Sequence, residues 1–238
     1  MTNTDFMLAI ERSFRAFIQS GTSRSTQKLL PLHGAIAKDM HERLGASYGI
    51  LSQGFKEGKE GKIAGRYIDK KVDITITQNG KPVAGIGVKF VMQNYSQNSN
   101  NYFEGMLGET ANIRAARCPY FQIFIIPHKL PHYNKDGKFK HWESFTESHI
   151  KKYKTLDTDD PCVMFHSPDK MLIYVIQLPD IGDVTTKSEY LEKYGKLLSA
   201  TTEGHFIPFD NAGQFSKTVI LNDYEKFASK VYHSIQAM

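Results

Sequence analysis

The chain has 238 residues, of which 40% are hydrophobic and 12% aromatic, so it can bury a sizeable core and is expected to form one domain over residues 1–238. No apolar run is long enough to span a bilayer, and the first residues include Asp5 and lack a signal-peptide core, which predicts a cytoplasmic protein with no membrane partner. The formal net charge of +5 favours a polyanionic partner without identifying it.

Residues 1–45 are predicted to form a helical N-terminal part. Apolar side chains recur at helical spacing over residues 5–19, which Thr4 can cap, and again over residues 28–44. Residues 45–65 are rich in glycine and in charged side chains and show no periodicity. We therefore expect a loop there, ahead of the central strands.

Two apolar runs rich in β-branched residues flank the dipeptide Asn79-Gly80, a strong short-range signal for a β-hairpin turn. Asp73 lies at the head of the first run, and Lys89 lies near the end of the second. Because the strands of a hairpin lie side by side, we expect this carboxylate and this ammonium to converge. The predicted strands are residues 72–76 and 83–92.

The segments after the hairpin complete an α/β core over residues 70–127. Residues 95–102 are rich in Asn, Gln and Ser, which favours a polar connection, and residues 103–117 are predicted to form a helix. Residues 120–127 are a nearly continuous apolar run, typical of a strand that is buried on both faces. A hairpin, a crossover helix and a further strand predict an α/β fold with a charged cluster on one edge.

Residues 128–238 are predicted to add further strands and helices to this core. The segment 128–140 interleaves basic and aromatic residues in a turn-rich loop that suits contact with DNA. The remaining patterns predict helices over residues 142–154, 186–199 and 222–237, and strands over residues 161–165 and 171–178.

The central segment resembles the PD-(D/E)xK nuclease superfamily and, within it, the type II restriction endonucleases. In that family an Asp on one strand and a (D/E)xK motif on the next hold a divalent metal, and the Lys positions or activates the attacking water. Asp73 fits the first carboxylate, and Lys89 fits the lysine. The resemblance implies a restriction endonuclease-like α/β fold, with a mixed central sheet flanked by helices, and Mg²⁺-dependent hydrolysis of double-stranded DNA.

The sequence departs from the family's pattern at Gly87, which stands where a second carboxylate is expected and cannot bind a metal. Some restriction enzymes of the superfamily take this carboxylate from the helix after the lysine strand. Glu104 and Glu109 are the candidates, and Glu104 is favoured because its distance from Lys89 is close to the family's spacing. The two glutamates are about 140° apart on a helix with about 100° per residue, so one of them is expected to face Asp73.

Basic and amide side chains bracket these carboxylates in the sequence, an arrangement that a phosphodiester substrate requires. The segment that begins at Glu109 resembles the recognition helix of such enzymes, and the Asn-rich connection before it is suited to base edges. Short duplex sites are commonly palindromic, which implies a two-fold homodimer. The candidate DNA contacts are Lys70, Lys71, Asn98, Asn100, Asn101, Asn112, Arg114 and Arg117.

Other interpretations of the sequence remain open. The chain could serve repair or junction resolution with the same fold, or Gly87 could mark a lost active site in a protein that only binds DNA. The basic surface could instead serve an acidic protein partner, in which case binding to duplex DNA would lack a steep salt dependence. An Asp and a Lys on neighbouring strands also occur as an exposed ion pair that contributes little to stability.

Overall fold

A computed structural model describes residues 1–21, 27–200, 202–209 and 214–238. A short 3-10 helix, Gln27–Leu29, precedes the second α-helix. The other elements, in chain order, are α1 (Asn3–Ser20), α2 (Leu30–Leu44), β1 (Tyr48–Ser52), β2 (Gly61–Ile63), β3 (Lys70–Val72), β4 (Ile74–Gln78), β5 (Lys81–Phe90), α3 (Tyr95–Arg114), β6 (Tyr120–Pro127), β7 (Lys129–Tyr133), β8 (Phe139–Ser144), α4 (Glu147–Thr158), β9 (Lys170–Gln177), α5 (Lys187–Ser199), β10 (Ile207–Pro208), β11 (Val219–Leu221) and α6 (Tyr224–Gln236).

The central sheet has the strand order β1-β4-β5-β6-β9-β10, and β11 also pairs with β9. The β1–β4 and β4–β5 pairs are antiparallel, whereas β5–β6 and β6–β9 are parallel. The sheet is therefore mixed, and α3 provides the crossover that parallel neighbours such as β5 and β6 require. Helices cover both of its faces, so the predicted α/β class with a mixed sheet flanked by helices is confirmed.

The central strand β6 is apolar at nearly every position, with Gln122 as the exception. Phe121, Ile123 and Ile125 of β6 join a core that includes side chains of α1, α2, α5 and α6. Phe124 and Ile126 join a second core with side chains of α3 and α4 on the opposite face. Successive side chains of a strand point to opposite faces, so a strand covered on both sides has apolar residues on both faces.

The predicted hairpin is confirmed as β4 and β5. Asn79 and Gly80 have φ values of 52° and 73°, the left-handed values that a two-residue hairpin turn needs and that Asn-Gly adopts easily. The predicted strand over residues 120–127 matches β6 residue for residue. Local sequence determines both elements.

Residues 45–65, predicted to be a loop, contain β1 and β2. Both strands are short, so they show too few residues for a period to appear.

Residues 95–102, predicted to be a polar connection, form the first turns of α3, where the backbone N–H of Ser96 donates to the Glu143 carboxylate. The helix ends at Arg114 rather than at residue 117, and residues 115–117 form turns in which Arg117 has a left-handed φ of 65°.

Three smaller predictions also differ from the structure. Residues 161–165, predicted to be a strand, form turns, and Trp142 belongs to β8 rather than to a helix. The cap of α1 is Thr2, whose side chain accepts from the backbone N–H of Asp5. In the part of the chain that the structure describes, no helix is long and apolar enough to cross a membrane.

Candidate functional site

Asp73 lies between β3 and β4, where the chain passes from a small two-stranded sheet into the central sheet. Its side chain is half-buried, and the backbone N–H of Val88 donates to its Oδ2 atom at 2.7 Å. This bond holds the carboxylate against β5 at Val88, the residue that precedes Lys89. The convergence of Asp73 and Lys89 that the hairpin pattern predicted is present in the structure.

Asp73 and Lys89 line a cavity of about 360 Å³ between the central sheet and α3. The β3, β5 and β6 strands supply one wall, and one face of α3 supplies the other. The lining residues are Lys70, Asp73, Gly87, Val88, Lys89, Asn101, Tyr102, Gly105, Met106, Glu109 and Gln122.

Glu109 is the glutamate of α3 that lines this cavity. Its Oε2 atom lies 2.8 Å from the Nζ atom of Lys70, and its Oε1 atom accepts a hydrogen bond from the Tyr120 hydroxyl. Glu104, favoured by its spacing from Lys89, is exposed and lies outside the lining. Because positions five apart point in different directions on a helix, α3 turns one glutamate toward Asp73 and the other toward solvent.

The position of Gly87 explains how the cavity is built without a carboxylate there. A Cβ atom on Gly87 would lie 2.6 Å from the Tyr120 hydroxyl oxygen and 2.8 Å from the Oε1 atom of Gln122. Gly87 is paired with Gln122 in the β5–β6 register, so both side chains come from the neighbouring strand. Tyr120 and Gln122 therefore fill the space that a side chain at position 87 would take.

The two carboxylates affect each other electrostatically. Burial raises the pKa of Asp73 to about 6, and the negative charge of Glu109 adds to this effect. The Val88 N–H, Lys89 and Lys70 oppose the rise without cancelling it. A group that binds between Asp73 and Glu109 with positive charge would relieve this repulsion.

Lys89 is held over an aromatic ring. Its Nζ atom lies 4.3 Å from the centroid of the Tyr102 ring, close enough for a cation–π interaction. Although the residue is exposed overall, burial of its amine end lowers the pKa of Lys89, while the charge of Asp73 raises it. The ring orients the ammonium at the edge of the cavity.

Lys28, which the sequence patterns did not single out, lies beside this site. A second cavity of about 240 Å³ is lined by Lys28, Lys89, Asn98 and Tyr102, among others. Burial lowers the pKa of Lys28, and the positive charge of Lys89 lowers it further. Lys28 lies in the short 3-10 helix before α2 and shares this cavity with Lys89, which is distant in the chain, so no local sequence pattern indicated it.

Two of the predicted DNA contacts have structural partners instead. Asn112 is buried, accepts from the backbone N–H groups of Tyr67 and Ile68 at 2.9 and 3.2 Å, and donates to the Ile68 carbonyl. Arg114 forms two hydrogen bonds with Asp169, at 2.9 and 3.0 Å. The end of α3 therefore uses these side chains to hold adjacent loops.

The other predicted contacts remain near the surface. Lys71, Asn100, Asn101 and Arg117 are exposed, and Asn101 also lines the main cavity. Asn98 is half-buried and donates to the carbonyl of Asn94 at 3.3 Å. Lys70 is partly engaged by Glu109 at the cavity wall.

The donor set of the cavity fits a hard divalent cation. Asp73 and Glu109 contribute carboxylate oxygens, and Gln122 contributes an amide oxygen. Mg²⁺ prefers oxygen ligands, commonly binds through one or two carboxylates, and keeps several waters. Burial is the main cause of the raised Asp73 pKa, and the smaller contribution of Glu109 is the effect expected of an anionic pair that a cation would neutralise.

A larger cavity, of about 680 Å³, lies against α1 and α2. One of its carboxylates, Asp39, is paired with Arg43 at 2.9 Å and accepts from the Tyr224 hydroxyl at 2.9 Å. We favour the smaller cavity as the functional site, because it brings Asp73 and Glu109 together with two lysines.

Comparisons with protein-family models, with curated proteins and with solved structures gave no match to this chain. The family that Asp73 and Lys89 suggest therefore stays a prediction.

Proposed function

We propose that this chain is a Mg²⁺-dependent endonuclease that hydrolyses double-stranded DNA at specific sequences, as a PD-(D/E)xK type II restriction endonuclease does. The observation that supports it best is the single cavity lined by Asp73, Lys89 and Glu109. The antiparallel β4–β5 pair, the crossover helix α3 and the parallel strand β6 are also consistent with a restriction endonuclease-like core.

Asp73 and Glu109 would hold the metal, with the amide oxygen of Gln122 as a further ligand. When bound, Mg²⁺ in such a site lowers the pKa of water and neutralises charge that develops on the scissile phosphate. Asp73 must be ionised to bind it, which its pKa of about 6 permits at neutral pH. Glu109 would give up its ion pair with Lys70 to bind the cation, and the Lys70 ammonium would then face a phosphate oxygen.

Lys89 would hydrogen-bond the attacking water and the phosphate oxygen beside it. The Tyr102 ring limits the directions that its ammonium can take, so the donor is oriented before the substrate binds. Lys28 adds a second positive charge in the adjacent cavity, which Lys89 and Tyr102 also line. A phosphodiester backbone that bridges the two cavities would be stabilised by both lysines.

Duplex DNA would follow the exposed polar side chains around the cavity. The exposed side chains of Lys71 and Arg117 would contact phosphates, and the exposed amides Asn100 and Asn101 on α3 are of the type that reads adenine. Two copies of the chain related by a two-fold axis would place one cavity on each strand of a palindromic site.

A second candidate function is DNA binding without catalysis. It is favoured by Gly87, which stands where the family has a carboxylate, and by the hydrogen bond that the Tyr120 hydroxyl donates to Glu109. The same surface would then recognise DNA, while the metal site would be too poor in ligands for cleavage.

Digestion of plasmid and phage DNA separates these functions. Wild type with Mg²⁺ is expected to give discrete fragments, and EDTA, Asp73→Ala and Lys89→Ala are each expected to abolish them. Intact DNA binding without cleavage under Mg²⁺ or Mn²⁺ would support the second candidate. Binding that is weak and insensitive to salt would contradict both.

A further inference from the structure

A second group of ligating side chains lies on the β7–β8 hairpin, apart from the cavity around Asp73. His132, His141 and Glu143 each offer one ligand atom, and these atoms lie within 4.8 Å of one another. Among the residues that the structure describes, this is the one group of three or more His, Cys, Asp or Glu side chains with that geometry.

The hairpin register builds this group. His132 and His141 are paired across the antiparallel strands, and their rings stack with centroids 4.9 Å apart. Glu143 lies two residues after His141, so it projects from the same face of β8. The Nδ1–H group of His132 donates to the Oε1 atom of Glu143. The two atoms that would bind a metal therefore already face each other.

The group is buried on one side and open on the other. Glu143 is only 6% exposed, and its second oxygen, Oε2, accepts from the backbone N–H of Ser96 at 3.1 Å. His132 is half-buried and His141 is exposed. An ion held by the three side chains would therefore have three protein ligands and one position facing solvent.

We propose that this hairpin binds one Zn²⁺-like ion through His132, His141 and Glu143, and that the ion fixes the hairpin to the start of α3. Two nitrogen donors and one carboxylate suit Zn²⁺, whereas Mg²⁺ requires oxygen ligands. Ligand atoms of a tetrahedral Zn²⁺ stand about 3.4 Å apart. Binding would require the three side chains to rotate to that spacing and the Nδ1 proton that bridges His132 and Glu143 to be released to solvent.

The coupling to α3 follows from the contacts at its first turn. Ser96 is bonded to Glu143, and the side-chain oxygen of Asn94 accepts from the backbone N–H of Tyr133 at 3.0 Å. An ion that immobilises Glu143 therefore immobilises the start of the helix. The same helix carries Glu109, but the ion site stands whether or not the chain is a nuclease.

Metal binding by the full chain tests the proposal, with Co²⁺ as a visible probe and Zn²⁺ in competition with a chromophoric chelator. Wild type is expected to bind one ion at the hairpin beyond any that Asp73 and Glu109 hold, and His132→Ala and His141→Ala are each expected to weaken binding of that ion by at least roughly 10-fold. His166→Ala is the matched control, because His166 pairs with Asp159 at 3.0 Å outside the proposed site. It is expected to bind as wild type does.

Hydrogen exchange tests the coupling. Zn²⁺ is expected to slow exchange of the Ser96 amide in wild type and to leave it unchanged in His141→Ala, whose exposed side chain can be removed without disturbing the core. No bound ion, equal binding by all variants, or loss confined to His166→Ala overturns the site. Binding that leaves the Ser96 amide unprotected overturns the coupling. Neither readout depends on DNA cleavage.

Discussion

Asp73 is a residue whose ionisation opposes folding. Burial raises the pKa of Asp73, so its charged form is less stable in the folded chain than in the unfolded one. The neutral form is therefore the one that favours the folded state. A bound cation would reverse that preference, which is the property expected of a metal ligand.

Replacing Asp73 by Asn is expected to stabilise the metal-free protein at pH 8. With a folded pKa of about 6 against 3.8, the charged carboxylate destabilises the fold by about 2–3 kcal/mol above the folded pKa. The gain in Asp73→Asn shrinks as the pH falls through 6 and disappears below 4. Urea unfolding at pH 8, 6 and 4 measures it.

The control for this prediction is Asp69→Asn, because Asp69 is exposed and pairs with Lys62 at the surface. It is expected to change stability little at any of these pH values. A gain in Asp73→Asn that is the same at pH 4 and pH 8 would show that ionisation is not its cause.

The side chains of Tyr120 and Gln122 on the neighbouring strand β6 leave room only for glycine at position 87. Gly87→Ala is expected to destabilise the protein by about 1–3 kcal/mol, because the new methyl group meets the Tyr120 hydroxyl. Tyr120→Phe removes that oxygen and is expected to recover part of the loss in the double variant. Thermal unfolding of the single and double variants measures the coupling.

Gly108→Ala is the matched glycine control. Gly108 lies on the exposed side of α3, and an added Cβ there meets nothing within 4 Å. Alanine is expected to stabilise the helix by up to about 1 kcal/mol. Equal effects of the Gly87 and Gly108 substitutions would show that the contact with Tyr120 is unimportant.

Among the elements, α3 organises the candidate site. It carries Tyr102 and Glu109 on the cavity wall, and Asn112 near its end holds the loop that contains Tyr67 and Ile68. The helix thus joins the cavity to the small β2–β3 sheet that positions Lys70. Loss of this attachment is expected to loosen the loop before it affects the central sheet.

Asn112→Ala is expected to lower stability by about 1–3 kcal/mol, because buried backbone groups lose their partner. Hydrogen exchange at Tyr67 and Ile68 should quicken in this variant more than exchange in β6. Asn100→Ala, an exposed position on the same helix, is the control and should leave exchange unchanged. Unaltered exchange in Asn112→Ala would contradict the assigned role.

Sequence patterns predicted the elements whose structure is determined locally. The Asn79-Gly80 turn and the apolar strand β6 are examples, because turn chemistry and two-sided burial leave a mark at each position. The start of α3 was missed because its polar first turn depends on Glu143, which is distant in the sequence.

The candidate site was predictable only in part for the same reason. Asp73 and Lys89 share a hairpin, so their approach follows from local pairing. The position of Glu109, and the filling of the space at Gly87 by Tyr120 and Gln122, depend on how β6 is placed beside β5. That register is a tertiary property, and no local pattern encodes it.

At the scale of the whole molecule, the net charge of +5 and the lysines around the cavity predict electrostatic binding of duplex DNA. With Ca²⁺ in place of Mg²⁺, affinity is expected to fall steeply with salt. Lys71→Ala should reduce the slope of log K against log salt by about 1. Fluorescence anisotropy with a labelled duplex measures this slope.

Lys81→Ala is the control for the salt dependence, since Lys81 is exposed at the far end of β5 from Lys89. Its slope should equal that of wild type. Equal reductions in both variants would indicate a diffuse charge effect and would contradict a binding surface centred on the cavity.

The most direct measurement compares cleavage rates of Glu109→Gln and Glu104→Gln under single-turnover conditions with Mg²⁺. The two glutamates lie on the same helix, but only Glu109 lines the cavity with Asp73 and Lys89. Glu109→Gln is predicted to lose at least roughly 100-fold in rate, as removal of a catalytic electrostatic group does, while Glu104→Gln cleaves at the wild-type rate. Normal cleavage by Glu109→Gln, or loss confined to Glu104→Gln, would contradict the proposed site.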